Sequence, residues 1–264
     1  MTTETVLFEI DPRGVATLTL NRPELHNAFD DAIIATLNQH LAQIATNPAV
    51  RVLVLRSAGK NFSAGADLNW MRRMADNDHA ANLVDARGLA TLMQRLNDLP
   101  RPTIALVQGA AFGGAVGLAA CCDLVIATEA SRFCLSEVRI GLIPAVISPY
   151  LVRAIGERQA RRYFLSAETF SAAQAERWGL VHRVVPDNER LSPACEEQIR
   201  LLLANSPAAV SAAKALIAAV ANRVTDAAVI EDSARRIADI RVSAEGQEGL
   251  SAFLNKRKPN WIQE

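Results

Sequence analysis

Three short apolar runs constrain what this chain can fold into more than any other feature. Val52-Leu53-Val54-Leu55, Thr103-Ile104-Ala105-Leu106-Val107 and Leu124-Val125-Ile126-Ala127 scarcely alternate with polar residues. Such runs suit strands covered on both faces, as in parallel sheets, better than half-exposed strands. The segments between them change period. Ile34, Leu37, Leu41 and Ile44 fall at helical intervals after Asp30, with Gln39 and Gln43 turned toward water and Asn38 on the flank. Leu89, Leu92, Met93, Leu96 and Leu99 form a second stripe that stops at Pro100 and Pro102. Val15–Leu20, after a turn at Asp11-Pro12-Arg13-Gly14, adds a partly alternating strand. Helices interleaved with buried strands predict a layered α/β fold.

Helix signals dominate the later chain. Ser171 and Gln174 have capping-box spacing, and Gly179 can end the short helix that follows. Ser206-Pro207 supplies a cap and a first-turn proline for an alanine-rich run through Val220, and a last helix is expected from about Glu245 to Lys256. At 264 residues the chain is near the size at which one hydrophobic core stops growing. The composition shift near residue 200 divides it into a core, 1–200, and a helical region, 201–264, whose apolar helices need another surface to cover them.

A hydrophobic share of 50% against 21% charged residues excludes disorder as the main state. Equal numbers of basic and acidic residues, 28 of each, argue against nucleic acid as a partner. Charged residues interrupt every candidate membrane span, and MTTETVLFEIDPRG has no basic region followed by an apolar leader run. Cys121, Cys122, Cys134 and Cys195 form no metal-binding spacing, nor do His26, His40, His79 and His182. The expectations are a cytoplasmic protein with no membrane partner and no metal site. Gly113-Gly114-Ala115-Val116-Gly117 does not spell a dinucleotide fingerprint, and no Walker loop occurs.

Small residues gather in two places that can expose backbone N–H groups. One is Asn61-Phe62-Ser63-Ala64-Gly65-Ala66-Asp67-Leu68, shortly after a buried strand; the other is Gly113-Gly114, ahead of a helix from about Ala115. The amides of Ala66 and Gly114 could converge on an activated carbonyl, or the glycines could simply allow tight turns. Glu137 lies in an apolar surrounding that can raise its pKa for proton transfer, but it could equally pair with Arg139 or lie on the surface. Lys256-Arg257-Lys258 reads as a solvated basic face or as a phosphate contact.

Read in order, five segments resemble the enoyl-CoA hydratase/isomerase, or crotonase, family along almost the whole chain. They are Asn21-Arg22-Pro23 with Asn27-Ala28-Phe29, Phe62 to Leu68, Gly109 to Asp123, Ser136-Glu137 through Ile143-Pro144, and Ser251 to Arg257. The resemblance implies an α/β crotonase-like spiral of repeated ββα units, 1–200 forming the acyl-CoA-binding and catalytic core and 201–264 a region that builds a homotrimer and completes the active site. A dimer of trimers is the further step. It implies an acyl-CoA thioester substrate, with CoA as carrier and no redox cofactor. It assigns the amides of Ala66 and Gly114 to the thioester oxygen and Glu137 to proton transfer. Leu25, Ala64, Ala66 and Leu68 fall on the CoA path, and Lys256 or Arg257 near the CoA phosphates, across a subunit boundary.

One position departs from the pattern. Two-glutamate hydratases carry a second carboxylate where this chain has Gly117, which would leave room for a bulkier acyl branch or an ordered water. The surrounding sequence looks like a bacterial subgroup acting on branched glutaconyl-CoA substrates. The leading expectation is hydration of 3-methylglutaconyl-CoA to 3-hydroxy-3-methylglutaryl-CoA. Isohexenylglutaconyl-CoA hydration, enoyl-CoA isomerisation and a noncatalytic CoA-binding scaffold remain as alternatives. Arg73 and Arg153 are candidates for a distal carboxylate.

Overall fold

The computed structural model describes residues 4–262. Met1, Thr2 and Thr3, the start of the segment read above for a leader, lie outside them. The first half of the chain runs β1 (Val6–Ile10), β2 (Val15–Leu20), α1 (Asp31–Thr46), β3 (Val52–Ser57), α2 (Leu68–Asp76), α3 (His79–Asn97), β4 (Thr103–Val107), β5 (Ala110–Phe112) and α4 (Gly114–Ala120). It continues through β6 (Leu124–Thr128), β7 (Arg132–Cys134), α5 (Ser148–Ser166), β8 (Phe170–Ser171), α6 (Ala172–Trp178) and β9 (Arg183–Val185). Four helices follow: α7 (Leu191–Leu203), α8 (Pro207–Val220), α9 (Ala227–Val242) and α10 (Ala244–Leu254).

The continuous apolar runs are the central strands of a six-stranded sheet ordered β1-β2-β3-β4-β6-β9. All its neighbours are parallel except β1 and β2. Both faces are covered, which is why alternation is missing from the sequence: Leu53, Leu55 and Ala105 belong to one apolar cluster, and Val52, Val54 and Ile104 to another under α7. A second sheet, β5-β7-β8, is much smaller. Its strands have two or three residues each, too short to give a periodic signal, so the sequence does not announce them. They are held by Phe133, Phe170, Tyr163 and Trp178, whose rings pack with centroids 4.9–5.4 Å apart.

The spiral follows from this arrangement. Each repeat sends one strand into the large sheet, one short extended segment into the small layer, and then a helix. β4, β5 and α4 make one such unit, and β6, β7 and α5 the next. The earlier turns use single bridges in place of the short strand, Ser63 to Ala111 and Phe29 to Ala66. Local signals mark the helices as expected. Asp30 caps α1 through the Ile33 N–H at 3.0 Å, and Ser171 and Gln174 close a capping box on α6.

Helices α8 to α10 gather at the N-terminal ends of the parallel strands. Lys214 of α8 pairs at 2.7 Å with Asp123, just before β6. Arg51, just before β3, donates to the carbonyls of Leu203 and Asn205. Among the described residues, no single helix is long and apolar enough to cross a membrane.

Candidate active site

The loops that leave the C-terminal ends of β3 and β4 run side by side. Ser63 donates to the Ala110 carbonyl at 3.0 Å, and Phe112 donates back to Ser63 at 3.0 Å. Three residues further along each segment stand Ala66 and Gly114. Phe29 binds the neighbours of Ala66, accepting from Asp67 and donating to Gly65, so the N–H of Ala66 itself points away from that bridge. Gly114 opens α4, where an N–H has no intrahelical acceptor. Neither amide has a hydrogen-bond acceptor among the described residues. The segments touch closely: a Cβ on Gly65 would stand 2.9 Å from the Phe112 carbonyl oxygen, and one on Gly114 2.8 Å from Phe29 Cζ.

Glu137 lies against the same turn. Its Oε1 is 3.2 Å from the place a Cβ on Gly113 would occupy, so glycine there, at φ +54°, admits both the bend and the carboxyl. The other oxygen, Oε2, is buried with no hydrogen-bond partner among the described residues. Burial pushes the carboxyl above its ordinary pKa, against a smaller opposing hydrogen bond from its own backbone. Arg139, the candidate ion-pair partner, instead donates to the Ala167 carbonyl at 2.6 Å. A carboxyl oxygen buried without a partner is expensive to keep, and beside two amides without acceptors Glu137 forms an arrangement that can stabilise an oxyanion and move a proton.

The space expected at Gly117 is not there. A Cβ on Gly117 would lie 2.1 Å from Ile147 Cγ2, 2.8 Å from Ile147 Cβ and 3.3 Å from Met93 Cε. Ile147, buried at the start of α5, fills the volume a side chain at 117 would need. Nothing in the local sequence connects residues 117 and 147; only the packing of α4 on α5 does.

The motif around Asn21 to Phe29 positions these loops. Asn27, buried and left-handed at φ +54°, donates to the carbonyls of Ala58 and Asn61 at 2.7 and 2.8 Å. Arg22 reaches Asp67 Oδ2 at 3.1 Å, and Asp67 caps α2 through the amides of Asn69 and Trp70. Burial pulls the Asp67 carboxyl up, but those amides and the Arg22 guanidinium outweigh it and hold it below the usual range. These scaffolding roles were not read from the sequence, although the polar residues flanking each turn were a signal for them. Of the residues placed on the CoA path, Leu25 and Leu68 are exposed at 45% and 68%, and Ala64 is exposed with its N–H on the His26 carbonyl.

The basic candidates are more scattered. Arg73 is ion-paired to Asp31. Arg153 faces a groove of about 390 Å³ lined also by Asp98, Asp123 and Lys214, at the strands' N-terminal ends and so opposite the site loops. Arg257 is held by Glu248 in a two-pronged pair at 2.6 and 2.7 Å, whose hydrogen bonds bring the Glu248 carboxyl down to about 2. The ammonium of Lys256 has no acceptor among the described residues. No cluster of His, Cys, Asp or Glu among them could hold a metal ion.

A spiral of ββα units carrying paired amides and a buried carboxyl defines a class, and comparison with known proteins agrees with it. The family model for enoyl-CoA hydratase/isomerase matches residues 11–264, and the chain belongs to that family. It is similar to the crystal structure of an enoyl-CoA hydratase from Shewanella pealeana, at 48% identity and a TM-score of 0.95 over 98% of this chain and 97% of that one. Among curated relatives, the 2,3-dehydroadipyl-CoA hydratase of Escherichia coli is 36% identical over 94% of each chain. The 1,2-epoxyphenylacetyl-CoA isomerase of the same organism is 35% identical over 98% of each. The chain is thus an enzyme of the enoyl-CoA hydratase type.

Proposed function

We propose that this enzyme hydrates a branched glutaconyl-CoA, converting 3-methylglutaconyl-CoA to 3-hydroxy-3-methylglutaryl-CoA. The observation that carries the reading is Glu137: one half-buried carboxyl whose Oε2 is buried without a partner, beside the turns that carry the amides of Ala66 and Gly114, with an aliphatic side chain at the place of a second acid. The amides would hold the thioester oxygen as negative charge builds on it. Glu137 as carboxylate takes a proton from water while the water oxygen bonds to the β-carbon and the π electrons move to the thioester oxygen. The protonated Glu137 then gives that proton to the α-carbon, so one group serves both transfers and the elements of water are conserved. A relative named for dehydroadipyl-CoA supports a substrate whose acyl group ends in a second acid.

Exposed Leu25, Ala64 and Leu68 would flank the CoA chain, and Lys256 would meet its phosphates from a neighbouring protomer. The assembly supporting this is a homotrimer, with a dimer of trimers beyond it. α8 buries none of its residues within the protomer, and Ile217, Ile230, Phe253 and Leu254 stand 59–81% exposed. Four buried free thiols suit a reducing compartment, the cytoplasm.

A matched assay of 3-methylglutaconyl-, isohexenylglutaconyl- and crotonyl-CoA tests the reading. Preference for 3-methylglutaconyl-CoA supports it, and equal or better specificity for crotonyl-CoA overturns it. The single carboxyl favours one second reading, isomerisation, because a lone acid can carry a proton between substrate carbons. Products formed in ¹⁸O-labelled water separate the two: label in the product marks hydration, and a moved double bond without label marks isomerisation.

A further inference from the structure

Gly113 is the N-cap of α4, at φ +54° and ψ −125°, and Gly117 lies one helical turn on, about 6 Å further along the axis. Glu137 stands over the first and Ile147 over the second. The carboxyl and the aliphatic side chain therefore stand against two glycines one helical turn apart, at the end of α4 that carries the Gly114 amide. A thioester oxygen held there sets the reacting carbons against Glu137. What lies beyond the reacting carbons is then directed toward Ile147.

Ile147 cannot easily withdraw. Its Cβ, not only a terminal methyl, stands 2.8 Å from the place of a residue-117 Cβ, so a rotamer change does not clear that space. Its backbone is pinned as well, because the Ile147 carbonyl accepts from Leu151 at 3.1 Å and the next residue, Ser148, donates to Ala145 at 3.2 Å. Met93 closes the side toward α3, and Ile147 is only 2% exposed.

We infer that Ile147 is a specificity-determining residue that closes the acyl end of the site and confines the substrate to a short branch. This rests on the acyl-CoA chemistry proposed above, and it selects between the branched substrates: a methyl branch fits against Ile147, whereas an isohexenyl branch must displace it.

The test measures binding, so that it does not depend on turnover. Affinities of the wild type, Ile147→Ala and Ile147→Val for 3-methylbutanoyl-CoA and octanoyl-CoA are compared by calorimetry. One buried methylene corresponds to about fourfold in affinity. Ile147→Ala should shift the octanoyl to 3-methylbutanoyl preference by roughly tenfold or more toward octanoyl, and Ile147→Val by up to about fourfold. An unchanged ratio in folded Ile147→Ala overturns the inference; if that variant does not fold, an unchanged ratio in Ile147→Val does so. Hydration of 3-methylglutaconyl-CoA by the wild type is scored separately, so a failed substrate assignment and a failed role for Ile147 give different results.

Discussion

Replacing Gly117 by alanine sets two effects of similar size against each other. In a helix interior alanine is favoured over glycine by about 1 kcal/mol, so at an exposed position this change would stabilise the protein. Here the new methyl carbon would arrive 2.1 Å from Ile147 Cγ2 and 2.8 Å from Ile147 Cβ, in a pinned and buried setting. Overpacking of a filled core costs about 1–3 kcal/mol, and contacts this short belong at the upper end or beyond. We expect a net loss of about 2 kcal/mol or more, a fall in Tm of roughly 4–8 °C or more for a chain of this size. Ile147→Ala alone should cost about 2–5 kcal/mol, yet the double variant should lose less than the sum of the two, with a coupling of about 1 kcal/mol or more. Thermal or urea unfolding at fixed protomer concentration measures all four proteins. A Gly117→Ala variant as stable as the wild type, or additive losses in the double variant, would refute the claim that Ile147 owns this space.

Glu137→Gln should lower hydration by about 10²–10⁴-fold while raising stability at neutral pH. Burial lifts the Glu137 pKa above the ordinary glutamate value of 4.5, so its favourable contribution is complete below that value and is lost as pH rises through the native pKa; the gain from glutamine should shrink as pH falls toward 4.5 in unfolding experiments. Asp67→Ala removes the cap of α2 and the Arg22 contact, and should cost about 0.5–2 kcal/mol in unfolding and reduce kcat by shifting the adjacent Ala66 amide. Lys256→Ala should weaken CoA binding in a salt-dependent way, whereas Arg257→Ala should act mainly on stability through the released Glu248; calorimetry at two ionic strengths separates them. Hydration should survive dialysis against a chelator, and loss of turnover with the fold intact would contradict the metal-free mechanism.

The sequence by itself determined the central strands of the large sheet and the local form of helices such as α1, α6 and α8. Runs such as Val52–Leu55 and Thr103–Val107 can satisfy their apolar side chains only when both faces are covered, and caps at Asp30, Ser171 and Ser206 act over three residues. The ordered motifs also marked the small-residue turns and Glu137. The short strands β5, β7 and β8 were beyond reach because two or three residues carry no period. Tertiary structure alone decided the character of the site. An isolated Glu137 is as compatible with Arg139 or with water as with a pocket; burial and the diversion of Arg139 to Ala167 leave its Oε2 unpartnered. Gly117 read alone suggests empty room, and only α5 folding back onto α4 fills it with Ile147. Such contacts join residues 30 positions apart through packing, for which neither composition nor periodicity leaves a local signal.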